Sequence, residues 1–184
     1  MLIILSTLLI PIFFIPITTA TTNPNIPNSI NFTINTSEFI WPIPGYTSIS
    51  SPYGPRNSPT AGASSFHYGI DIPAPQNTNL IAIADGKITF TNFLGAGGYT
   101  ITLTSKDYKF TYCHVSPNFI VKTGDYINKG DIIGQVGPKY VYNVNGNMYK
   151  DSTGKPTNGA TTGPHLHFGA RLNNKYINPI SLFK

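Results

Sequence analysis

Four histidines carry most of the chemistry this chain can offer: His67, His114, His165 and His167. His165 and His167 stand two apart in Gly163-Pro164-His165-Leu166-His167-Phe168-Gly169. On a β-strand such residues project from one face, with Cα atoms roughly 6.5 Å apart, while Leu166 and Phe168 turn to the other face and a core. One imidazole of the pair can bind a metal, and the other is near enough to touch a water or substrate oxygen beside it. His67 is followed four residues on by Asp71, in His67-Tyr68-Gly69-Ile70-Asp71. A straight strand would hold the two roughly 13 Å apart, and Gly69 with Pro73 and Pro75 argues against a helix. A bend at Gly69 would bring them together. His67, Asp71 and one histidine of the pair then supply three N/O ligands, the number a catalytic zinc takes while keeping a position open for water.

His114 ends a strand-like run, Tyr112-Cys113-His114, and on its own reads as a structural residue. Cys113 beside it raises a thiol-protease reading. Adjacent strand residues face opposite ways, so Cys113 is expected to be a small buried side chain that does not pair with His114. The single glutamate, Glu38, precedes the domain and no H-E-x-x-H is present, which removes the helix-borne Glu base of the common zinc proteases. The general base is then a histidine, or an Asp not holding metal, and two histidines remain after ligation.

The elements that must position these groups read as strands. Gly (17) and Pro (16) are frequent and charged residues are only 10%, which fits an all-β domain with many turns. Strand patterns cover Leu80–Ala84, Lys87–Asn92, Tyr99–Thr104, Tyr108–His114, Asp131–Val136 and His165–Leu172, with Asp85-Gly86 as a hairpin-type turn. No stretch keeps a helical period over three turns. Many short strands at regular spacing imply a sandwich or partly closed barrel. Residues 138–162 form a long insert before the H-x-H strand, with Asn145-Gly146 suggesting a small hairpin; it is either one side of a binding groove or a surface hairpin without a role.

Composition bounds the partners. The formal net charge of +5 suits an anionic cell wall, but the basic residues are scattered, so no nucleic acid is expected. One cysteine excludes a disulfide framework and any multi-cysteine zinc site. Residues 1–20 hold an uncharged apolar run ending in Thr18-Thr19-Ala20, which reads as a signal peptide cleaved after Ala20. A membrane association is expected only if this leader is retained. Residues 21–37 read as a spacer and 38–184 as the domain.

Taken together, the motifs resemble the lysostaphin-type zinc endopeptidases of bacterial cell walls, over about four-fifths of the chain. Trp41-Pro42-Ile43-Pro44-Gly45 looks like that family's domain start, and Ser51-Pro52-Tyr53-Gly54-Pro55-Arg56 like its S-x-[FY]-G-x-R element. His67-Tyr68-Gly69-Ile70-Asp71 matches the H-x-G-x-D ligand motif. Gly124-Asp125 through Gly134 matches a further stretch, and Thr162 to Phe168 the closing motif. The resemblance implies Zn2+ on His67, Asp71 and His167, with His114 and His165 as catalytic imidazoles. It implies an antiparallel β-sandwich of the duplicated-hybrid or barrel-sandwich type with a groove over one sheet. It also implies a monomeric, secreted, cell-wall-associated metalloendopeptidase acting on peptide cross-links of peptidoglycan. Some members carry a Tyr six residues before the first His ligand, where this chain has Ala61. Two rivals remain: an inactive relative that binds peptidoglycan or activates another hydrolase, and a biotinyl- or lipoyl-type carrier, for which no suitable Lys hairpin is found.

Overall fold

Along the longer strands the apolar side chains of one face are fully buried while the other face is covered only in part, which builds a large antiparallel sheet with one apolar face. The computed structural model describes residues 38–184; the leader and the spacer lie outside the described residues. The strands are β1 (Gly54–Pro55), β2 (Phe66–His67), β3 (Ile70–Pro73), β4 (Asn79–Ile81), β5 (Gly86–Phe93), β6 (Tyr99–Ser105), β7 (Tyr108–Cys113), β8 (Tyr126–Ile127), β9 (Ile132–Gln135), β10 (His165–Leu172) and β11 (Lys175–Ile177). Seven of them form the main sheet, in the order β11-β10-β7-β6-β5-β8, with β3 also paired to β10. One edge of β10 is divided: β3 pairs along His165–Phe168 and β11 along Ala170–Leu172, while β7 takes the opposite edge.

The apolar face carries Leu166, Phe168, Phe110, Tyr112, Ile101 and Leu103, all fully buried. A slight second layer covers it, the β4–β9 ladder with its Leu80 and Ile133. Tyr112 ties the layers together: its hydroxyl donates to the Ile81 carbonyl at 3.0 Å and accepts from the Ile83 N–H at 3.2 Å. Burial of the phenol drives its pKa far above the usual range, so it remains a donor. The expected all-β sandwich is thus present, with its second layer much smaller than its first.

Two local expectations change. The Leu80–Ala84 run does not make a hairpin with the following strand. Leu80, Ala82, Ile83 and Ala84 are all buried, and β4 pairs with β9 instead of β5. A run covered on every side belongs between layers, and Asp85-Gly86 carries the chain from one layer to the other. In the insert, Asn145-Gly146 does form a turn, with Asn147 N–H on the Val144 carbonyl at 3.1 Å. No strands flank it, however, and the insert is closed by bridges Tyr140–Thr157 and Lys150–Pro156. Asp151 pins it by accepting from the Tyr140 hydroxyl at 2.7 Å and the Thr153 hydroxyl at 2.7 Å.

Candidate metal centre and active site

The β3–β10 ladder places Asp71 directly opposite His167. Leu166 and Phe168 enter the core, so His165 and His167 must project from the other face. His67 joins them because the chain breaks between β2 and β3. Gly69 makes that possible: a Cβ there would lie 2.6 Å from the Phe168 carbonyl oxygen and 2.7 Å from His167 Cε1. The bend expected at Gly69 is therefore the feature that gathers the ligands.

Three donor atoms converge. His67 Nε2 lies 3.1 Å from Asp71 Oδ1 and 2.8 Å from His167 Nδ1, and His167 Nδ1 is 2.9 Å from the same carboxylate oxygen. Ligands about 2.0–2.1 Å from a tetrahedral zinc sit about 3.3 Å from one another, so the cluster is within a few tenths of an ångström of what zinc needs. The donor chemistry agrees. The Pro52 carbonyl lies 2.9 Å from His67 Nδ1 and can only accept, which puts the ring N–H on Nδ1. Nε2 then faces the Asp71 carboxylate at 3.1 Å, so a positive charge, a second ring proton or a metal ion, belongs between them. Arg56 Nη1 binds the other carboxylate oxygen of Asp71 at 3.1 Å and the Ser51 hydroxyl at 2.8 Å. Burial alone would raise the Asp71 pKa, but hydrogen bonds with His167 and His67 and the charge of His167 and His165 reverse this and hold the carboxyl far below its ordinary range.

The remaining two imidazoles stand beside the cluster, with ring centroids 4.8 Å apart. His165 Nδ1 donates to the Gly163 carbonyl at 2.8 Å, and His114 Nδ1 donates to the Asn158 carbonyl at 2.7 Å. Each ring therefore turns Nε2 away from its loop, that of His165 to within 3.6 Å of Asp71 Oδ1. Burial, helped by His165 and His167, pushes the His114 pKa down to about 3, so that ring is neutral at physiological pH. Burial also lowers His167, against the pull of Asp71. All five histidine and aspartate positions singled out in the sequence thus meet in one place.

They sit in the middle of a groove. A hollow of about 570 Å³ opens on the side of Ser50, Pro73, Thr162 and Pro164, and one of about 230 Å³ on the side of Tyr68, Gly169 and Tyr176. The two share Arg56, His114, Ala160 and His167. A chain laid through this groove would extend to both sides of the cluster.

Residues 65–179 match peptidase family M23. The chain belongs to that family. Among curated relatives, the DD-carboxypeptidase/endopeptidase Mpg of Neisseria meningitidis serogroup B is 37% identical over 74% of this chain and 27% of its own length. The glycyl-glycine endopeptidase ALE-1 of Staphylococcus capitis is 34% identical over 68% of this chain and 29% of its own length. The chain thus spans little more than a quarter of the length of these relatives. Among solved structures, the catalytic domain of lysostaphin from Staphylococcus simulans superposes with TM-score 0.59 at 30% identity, covering 76% of this chain and 93% of that one. A zinc-containing peptidase from Vibrio cholerae gives TM-score 0.57 at 26% identity, over 75% of this chain and 37% of that one.

Within this M23 domain, three supporting roles went unread in the sequence. The Ser51–Arg56 segment matched a motif, but its work is now visible: the Pro52 carbonyl sets the tautomer of His67, and Arg56 occupies the spare oxygen of Asp71. The third is Asn158, fully buried at the end of the insert. Its side chain accepts from Tyr99 N–H at 2.8 Å and donates to the Val115 carbonyl at 3.0 Å. Its backbone carbonyl meanwhile holds His114. Gly159 and Ala160 pack on the Gly95–Gly98 turn, with Ala160 N–H on the Ala96 carbonyl at 2.8 Å. Farther along, the Tyr149 ring lies against Gly62, where a Cβ would come within 2.6 Å of it. The insert is therefore part of the groove, not a surface hairpin.

The expected separation of Cys113 and His114 also needs correction. Cys113 pairs with His167 across β7 and β10, so its thiol is on the groove side of the sheet. His114 follows with φ of 58°, a left-handed backbone that breaks the strand alternation and swings its ring to the same side. Cys113 is nonetheless buried, and burial pushes its thiol up to about 12, which removes it as a nucleophile.

Proposed function

We propose that this chain is a secreted zinc-dependent metalloendopeptidase that hydrolyses peptide cross-links in bacterial peptidoglycan. The observation that carries this reading is the His67–Asp71–His167 donor cluster at the midpoint of a groove open to both sides, flanked by two imidazoles held by their Nδ1 atoms. The relatives, a DD-carboxypeptidase/endopeptidase and a glycyl-glycine endopeptidase, support the substrate class. The apolar leader at residues 1–20 supports export.

In this reading His67, Asp71 and His167 hold the metal. Zinc, when bound there, lowers the pKa of water and polarises the scissile carbonyl. The chain's own residues do the rest. The Pro52 carbonyl and Arg56 keep His67 and Asp71 in ligating orientation. Between them His114 and His165 orient the attacking water, accept its proton and return it to the leaving amine. A ring protonated in between donates to the developing oxyanion. The hydrogen bonds from Nδ1 to Asn158 and Gly163 fix which nitrogen is basic.

Digestion of purified sacculi by the zinc-loaded protein, followed by mass spectrometry of the released fragments, tests this. New peptide amines at cross-links, abolished by chelation and restored by zinc, are the expected result. Intact sacculi after prolonged incubation with a fully zinc-loaded chain would refute it.

A further inference from the structure

The chain contains two arginines, Arg56 and Arg171, and both line the groove. Arg56 is committed to Asp71. Arg171 has no carboxylate partner among the described residues. It lies on β10 on the same face as His167, with Gly169 between them leaving the groove floor without a side chain. Its guanidinium is held 4.2 Å from the centre of the Tyr176 ring and donates to the Tyr176 hydroxyl. Its Nε is buried and has no hydrogen-bond partner.

The residue directly opposite Arg171 on β7 is Lys109. Like charges facing each other across a ladder are destabilising, and no described acid offsets this pair. Lys109 reaches only the Asn174 side-chain oxygen, at 3.1 Å. Two adjacent cations without an acidic partner among the described residues, at the end of a groove that leads from the His67–Asp71–His167 cluster, make an arrangement that an anion would complete.

We infer that Arg171, seconded by Lys109, forms an anion subsite that takes a free carboxylate of the substrate peptide. The inference rests on the peptidase reading above and narrows its substrate. Arg171 lies four positions along the strand from His167, about 13 Å along the floor. An extended peptide covers about 3.3–3.6 Å per residue. The guanidinium lies sideways over Tyr176, its cross-strand neighbour, so the carboxylate sits about four residues from the bond that is cut. Carboxylate-bearing stem peptides meet this requirement. A bridge made only of glycine does not, because it has no side-chain carboxylate to offer.

The test uses the full zinc-loaded chain and two synthetic cross-linked peptides, identical except that the free carboxylates of one are carboxamides in the other. The wild type should prefer the free acid by about tenfold or more, chiefly through KM, as befits a charge-assisted contact. Arg171→Gln should bring the free-acid peptide down to the level of the amide, and Arg171→Lys should keep part of the preference. Equal slowing of both peptides by Arg171→Gln, or a preference that survives it, overturns the inference while leaving the peptidase reading intact. Should the wild type cut neither peptide, calorimetric binding of the same pair decides. An Arg171-dependent preference in affinity then sustains the anion subsite although the peptidase reading has fallen, and equal affinities reject it.

Discussion

The metal cluster and the imidazole pair lie side by side but are held in different ways. Asp71 and His167 are cross-strand neighbours in the middle of the sheet, and His67 follows from a bend that Gly69 alone permits. Their geometry is set by backbone register. His114 and His165 are each aimed by one hydrogen bond to a loop carbonyl, Asn158 in one case and Gly163 in the other. The proposed ligands inherit the rigidity of the ladder, whereas the imidazoles proposed for proton transfer depend on how well two loops are anchored.

The largest effect should come from breaking the ladder side. Asp71→Ala or His167→Ala is expected to lose both zinc and turnover, measured by elemental analysis and sacculus digestion on the same samples. On the loop side, His114→Ala and His165→Ala should keep zinc and fold yet lose about 10²–10⁴-fold in turnover. Zinc lost from His165→Ala but retained by His167→Ala would reverse the assignment of ligand and base. Arg56→Ala acts between these extremes: freeing the second oxygen of Asp71 should weaken zinc about 10–100-fold, read by competition with a chelator.

Asn158→Ala should separate the two regions most clearly. It leaves a buried N–H of Tyr99 and a buried carbonyl of Val115 unpaired, about 1–3 kcal/mol each in stability. Zinc affinity should be unchanged while kcat falls, because only the carbonyl that aims His114 has moved. An equal fall in zinc affinity would show that the insert supports the whole site and not one imidazole. The mildest effect is a pH dependence. Folding holds His114 neutral down to about 3, whereas an unfolded histidine protonates near its ordinary value. The unfolded chain therefore binds the proton first as pH falls. Stability is full above the ordinary histidine pKa and declines toward the folded value, by at most about 1.4 kcal/mol per pH unit. A His114→Asn variant of the zinc-free protein should show a flatter acid limb in denaturant titrations.

Four of the five positions that meet in the groove were legible because their spacing is a local property: an H-x-H on a strand and an H-x-G-x-D across a bend. Longer strands with clear alternation, such as Tyr99–Ser105 and His165–Leu172, were legible for the same reason. β1, β2, β8 and β11 are two or three residues long and exist only through their partners, so no period announces them. The side on which His114 points was misread because alternation presumes an extended backbone. Asn158 was invisible for a further reason: it touches Tyr99, Val115 and His114, all more than forty residues away in sequence.

The left-handed backbone at His114 has a consequence for the history of this position. A non-glycine residue held there costs about 1 kcal/mol or more, and the neutral ring adds an acid-sensitive burden. Glycine or asparagine would suit that backbone better. Catalysis and folding therefore pull residue 114 in opposite directions. In a lineage released from selection on turnover, this is where the first substitution should settle, and it should leave a protein that still binds zinc and melts at a higher temperature.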